Sequence, residues 1–183
     1  RYFFEIPENL TMELKNLAQQ ENATLFMILL AGFRLLLYRY TGVEDIIIGC
    51  PIANRNRIEI EGLIGFFVNT LAIRTDLSGN PTFHKFLEQV CDVTLGAYQH
   101  QDLPFEKLIE ELQIERDVSR SPLFQVTFSF QNTPKQVFEL PGIAIEPLKI
   151  HNGTAKFDLS LGLQETAKGL NGWFEYNTDL FEN

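Results

Sequence analysis

The sequence predicts an α/β domain, one mixed β-sheet with helices packed on it. Helical periodicity dominates the first half of the chain and strand periodicity the second. The most apolar stretch, residues 25–38, is interrupted by Arg34 and too short to span a bilayer, so it reads as a helix in the centre of a domain. Asp45-Ile-Ile-Ile-Gly-Cys-Pro51 is apolar on both faces, the pattern of a short strand inside a mixed or parallel sheet.

In order, a strand over Arg1-Tyr-Phe-Phe-Glu-Ile6 comes first. Pro7 and Asn9 lead into a helix whose apolar stripe is Leu10, Leu14, Leu17 and Ala18. Thr24 caps the second helix and Gly42 ends it. Residues 53–57 form a polar turn, residues 58–64 lead into a glycine-hinged apolar loop, and residues 70–75 form a strand. After the loop at 76–81, Thr82 caps a long helix with Phe83, Phe86, Leu87, Val90 and Tyr98 on one face. Pro104 suits the first position of a short helix with Phe105, Leu108, Ile109 and Leu112 turned inward. Asp102 and Glu106 sit near its positive end. Residues 124–131 alternate, with Phe124, Val126, Phe128 and Phe130 on one face and Gln125, Thr127, Ser129 and Gln131 on the other. A weaker strand is expected at 142–150, and strands at 157–164 and 170–176 are separated by a Lys168-Gly169 turn. Thr178 is expected to cap a further helix cut short at 183.

At 183 residues the chain can bury a core, and 45% hydrophobic with 12% aromatic residues is a globular composition. A net charge of −9 argues against a nucleic-acid backbone and an anionic membrane surface as partners. Cys50 and Cys91 make no disulfide framework and no signal peptide is visible, so the cytoplasm is the expected compartment.

Chemistry-bearing residues are sparse. Of the three histidines, His84 and His151 read as surface residues and His100 as the C-terminal cap of a helix. No His or Cys spacing suits a metal, no phosphate loop follows a strand, and no nucleophile elbow occurs. Acyl transfer needs a general base and oxyanion donors; these residues suggest a binding or scaffolding half instead. Arg116, Asp117 and Arg120 read as a loop-fixing ion-pair cluster. The polar face Gln125, Thr127, Ser129 and Gln131 either lines a channel or is an exposed sheet face.

Three stretches carry a family resemblance: Gly62-Leu-Ile-Gly-Phe-Phe-Val-Asn-Thr-Leu-Ala-Ile-Arg74, His100-Gln-Asp-Leu-Pro-Phe-Glu106 and Arg116-Asp-Val-Ser-Arg-Ser-Pro-Leu-Phe-Gln125. In that order they resemble the fifth, sixth and seventh core motifs of nonribosomal peptide synthetase condensation domains. Gly49-Cys-Pro-Ile-Ala-Asn-Arg55 resembles the family's Gly-x-Pro-x-x-x-Arg segment, and Phe174-Glu-Tyr-Asn-Thr-Asp-Leu-Phe181 is similar too. The resemblance implies a lobe folded like chloramphenicol acetyltransferase, two such lobes forming a V. The family's catalytic His-His-x-x-x-Asp-Gly is absent from this sequence. Residues 1–183 are therefore expected to be the C-terminal lobe alone, with no catalytic residue and no activity in isolation.

The complete domain, by the same resemblance, joins acyl groups held on phosphopantetheine arms: an acceptor amine attacks a donor thioester in a tunnel between the lobes. No cofactor or metal is bound directly. The implied partners are the N-terminal lobe, donor and acceptor peptidyl carrier proteins, and an adjacent adenylation domain. Arg55 would pair with the aspartate of the missing motif. Gly62, Ile64, Gly65, Phe66, Phe67, Val68 and Asn69 would form a floor loop at the lobe interface, leaving an apolar patch at Ile64, Phe66 and Phe67. Gln125, Thr127, Ser129 and Gln131 would line the tunnel. His100, Asp102, Pro104, Arg116, Arg120 and Pro122 would be architectural, and a second crossover would lie within 151–173. Phe66-Phe-Val-Asn-Thr70 and Phe128-Ser-Phe130 look like amide-forming rather than epimerising members, with heterocyclising members left open. The alternatives are a degenerate module that docks carrier proteins or tailoring enzymes, and a coenzyme-A-dependent acyltransferase relative.

Overall fold

The computed structural model describes residues 1–114, 120–132, 143 and 153–181. Arg116, His151 and, apart from Ile143, the strand predicted at 142–150 lie outside them. The elements are β1 (Tyr2–Pro7), α1 (Glu8–Gln20), α2 (Leu25–Thr41), β2 (Asp45–Ile52), α3 (Ile58–Glu61), β3 (Asn69–Asp76), α4 (Phe83–Gln99), α5 (Phe105–Glu111), β4 (Val126–Gln131), β5 (Leu159–Thr166) and β6 (Gly169–Tyr176). The strands form a single mixed sheet in the order β1-β6-β5-β4-β2-β3. β4 runs parallel to both β2 and β5, and the remaining pairs are antiparallel.

One face of the sheet is covered by α1, α2 and α4, and the core lies there. α2 is anchored at both ends by its own sequence. The Thr24 hydroxyl accepts the Met27 amide at 3.3 Å, and Gly42 closes the helix at φ 68°, a conformation that costs glycine little. Between those ends Phe26 and Phe33 pack on Phe128 of β4, with ring centroids 5.3 and 6.0 Å apart. Ile48, Cys50, Ile73, Phe128 and Leu163 point into the same layer.

Arg34 sits fully buried in this layer. Its guanidinium donates to the Thr75 hydroxyl at 3.2 Å and to the carbonyls of Val43 and Glu44, tying α2 to the start of β2 and the end of β3. Desolvation lowers its pKa, opposed by the charges of Asp45 and Asp76.

Several apolar stripes differ from the periodicity by one position. Leu10 is exposed, and Thr11 takes its place inside, its hydroxyl donating to the Pro7 carbonyl at 3.1 Å. Phe83 and Leu112 are exposed as well, each at the end of a helix that has run past the layer it covers, while Thr94 fills the corresponding position on α4. Pro104 is the cap of α5 rather than its first residue. At the other end of the chain residues 178–180 form a turn rather than a helix among the described residues, and the Asn177 side-chain oxygen accepts the Asp179 amide at 3.0 Å.

Phe124 breaks the predicted alternation. Leu123 has φ 72° and the Phe124 amide returns to the Pro122 carbonyl at 2.9 Å, a γ-turn of the strained, positive-φ kind. The turn swings Phe124 to the sheet face opposite Phe128, where its ring covers the space a side chain at Gly49 would fill. Trp173 does the same over Gly162. That second face is where the small and polar residues of β2, β4 and β5 point. Finally, β5 and β6 pair along their full length, so within 151–173 residues 159–166 and 169–173 belong to this sheet.

Candidate functional site

β2 leaves the sheet at Ile52 and β3 enters it at Asn69, and these two residues pair directly. Residues 53–68 are therefore a closed surface loop on the sheet's edge pair. The loop contains only the one-turn helix α3, none of whose residues is buried. Ile58, Ile64 and Phe66 are 83%, 105% and 93% exposed. Phe67, expected in the same patch, turns back instead: the Arg55 guanidinium lies 4.3 Å from its ring centroid. Arg55 also donates to the Ile60 and Glu61 carbonyls at 2.5 and 3.1 Å, closing the end of α3. Among the described residues Arg55 thus holds its own loop and forms no ion pair.

The loop meets the connection between α4 and α5. Asn69 donates to the carbonyls of Gln101 and Leu103, both at 2.8 Å, and its oxygen accepts the Phe105 amide at 3.1 Å. That last bond satisfies a free donor at the start of α5, and Glu106 lies in the first turn of that helix, at its positive end as expected. Asp102 faces the other way and accepts from the Asn56 amide at 3.2 Å. His100 caps α4 through its backbone, and its ring is exposed. Phe105 then packs on Phe124 at 5.2 Å, and Phe124 on Phe157 at 5.8 Å.

These contacts gather the three motif stretches around a cavity of about 730 Å³, lined by Phe66, Phe67, Asn69, Phe105, Phe124 and Lys156 among others. Asp102, Pro104 and Pro122 border it, while Arg120 is exposed. A second cavity of about 420 Å³ lies at the ends of β2 and β4, bounded by Phe26, Tyr98, Ser129 and Gln131. Val68 lines both. Of the predicted polar face, Ser129 and Gln131 border this second cavity; the Gln125 amide donates to the Ser121 carbonyl at 3.0 Å, and the Thr127 hydroxyl to Ser160 at 2.9 Å.

Among the described residues, no histidine lines either cavity. Burial pushes the Cys50 thiol up, so it stays protonated at neutral pH, and burial also raises the Tyr98 phenol. His84 sits elsewhere, between Glu21 at 2.6 Å and Glu88 at 3.2 Å, beside a third, unrelated cleft of about 440 Å³. Among the described residues no cluster could hold a metal, and no single helix is long and apolar enough to cross a membrane. The site can shape a groove for an apolar or flexible ligand, and among the described residues it supplies no imidazole base. Sequence periodicity missed Asn56, Lys156 and Phe157 here. The polar pair Asn69-Thr70 beside an apolar loop was a signal, but it named no partner.

The family model for the condensation domain matches residues 1–183. A linear gramicidin synthase of Brevibacillus parabrevis is 54% identical over 184 residues, covering 100% of this chain and 2% of that protein. The chain thus spans a small fraction of the curated relatives it matches. Among solved structures, a holo four-domain nonribosomal peptide synthetase bound to AMP and glycine superposes with a TM-score of 0.88 at 26% identity, over 99% of this chain and 15% of that one. The X-domain in complex with OxyB from teicoplanin biosynthesis gives a TM-score of 0.86 at 28% identity, over 99% of this chain and 40% of that one.

Proposed function

This chain belongs to the condensation-domain family, and on that premise we propose that it is the C-terminal lobe of an amide-forming condensation domain in a nonribosomal peptide synthetase. The intact domain would join an acceptor amine to a donor thioester, both carried on phosphopantetheine arms of carrier proteins. The proton-handling histidine would come from the other lobe. The observation that carries this reading is the loop at 53–68, whose Ile58, Ile64 and Phe66 stand in solvent with no cover from their own lobe. A companion lobe would bury them and complete the two cavities as one tunnel, with Ser129 and Gln131 on its wall. Arg55, already stacked on Phe67, would present its remaining donors to the aspartate of the companion's motif. An adenylation domain beside it and a cytoplasmic setting go with the same reading.

The test is reconstitution. Joined to the upstream lobe of its own gene, this segment condenses aminoacyl groups between loaded carrier proteins, and alone it does not. An intact, folded two-lobed domain that never forms the amide overturns the proposal. The likeness to the X-domain–OxyB complex favours one second reading, a non-catalytic module that docks another protein. That reading requires the upstream lobe to lack a complete His-His-x-x-x-Asp-Gly, which sequencing the codons before Arg1 decides.

A further inference from the structure

No residue of the loop at 53–68, α3 included, is buried. Hydrogen bonds must therefore set its direction. Arg55 works inside the loop only. Among the described residues, the hydrogen bond that joins 53–68 to another part of the fold is Asn56 to Asp102. At the loop's exit Asn69 adds three more, all to the same connection between α4 and α5. Both amide protons are donated and the oxygen accepts one bond.

We propose that Asn69 and Asp102 are positioning residues which mount the floor loop on the α4–α5 connection and so hold it at the reacting groups. The proposal rests on the amide-forming reading above. The connection continues through Phe105 and Phe124 to the entry of β4, so the loop and the cavity-lining strand share one support. A small tilt of such a loop is expected to lower turnover while leaving carrier-protein docking intact, because small misplacements of reacting groups cost rate steeply.

The experiment uses the intact condensation domain within its synthetase, with loaded carrier proteins. Asn69→Asp keeps the acceptor for the Phe105 amide and removes both donors. Asn56→Asp opposes two carboxylates; adding Asp102→Asn restores the bond with donor and acceptor exchanged. Two readouts are followed: amide hydrogen exchange of residues 54–68, and kcat and KM for condensation. Asn69→Asp is expected to raise exchange in the loop and lower kcat, each roughly tenfold, with KM within about twofold, the scale of one or two lost hydrogen bonds. Asn56→Asp does the same more weakly, and the exchanged pair returns both readouts to wild type. Unchanged loop exchange in both single variants overturns the mounting. Raised exchange with unchanged kcat overturns the positioning role. If Asn69→Asp fails to fold, the exposed Asn56–Asp102 pair carries the test with the same outcomes. A wild-type domain that never condenses overturns the functional reading and with it the positioning role, while loop exchange still decides the mounting.

Discussion

The core under α2 and the loop at 53–68 are both rich in large apolar residues, yet they are held by opposite means. In the core, Phe128 is fully buried between Phe26 and Phe33, and its position follows from close packing. In the loop, Phe66 is in solvent, and order comes from directional bonds of Arg55, Asn56 and Asn69. Apolar content therefore does not identify the core of this chain. The chain places its main core on one side of the sheet and holds an apolar surface at 53–68 by polar contacts.

Phenylalanine truncation probes the contrast, since one residue type occupies both settings and an intermediate one. Phe128→Ala is expected to destabilise by about 3–5 kcal/mol, read from urea unfolding midpoints at constant slope. A loss near zero would mean that the helix layer closes over the gap and the two regions differ less than their packing indicates. Phe67→Ala removes the ring under Arg55 and is expected to cost about 1 kcal/mol, with faster tryptic cleavage after Arg57 as the sharper reading. Cleavage at the wild-type rate would separate Arg55 from the loop's order. Phe66→Ala is expected to change stability by less than about 0.5 kcal/mol, while lowering self-association of the isolated chain in sedimentation across concentration. An effect on stability as large as that at Phe67 would place Phe66 in a packed environment and remove the contrast.

Most of the fold was legible because its signals are local. The Thr24 cap and the Gly42 stop each depend on neighbours within a few residues, and each appears as read. The errors fall where a stripe meets an end. Leu10, Phe83 and Leu112 fit their helices' periodicity, but the layer they would face stops short of them. Phe124 fits the strand's alternation, but the turn at Leu123 reverses it. In the site, the motifs marked which stretches matter without showing how they touch. Asn69 was assigned to the open loop, and its amide instead reaches a connection more than thirty positions away.

By itself, then, the sequence determined the class of fold, the long helices with the Thr24, Gly42 and Thr82 ends, the family, and the absence of a His-His motif among its residues. Only the tertiary structure decided that Arg34 is buried, that Phe67 turns back under Arg55 while Phe66 stays out, and that the loop rests on residues 100–105. The reason is physical. Periodicity and capping arise from contacts a few residues apart, whereas a hydrogen bond between Asn69 and Leu103 exists only once the sheet and α4 have brought the two together, and no periodic pattern records its direction.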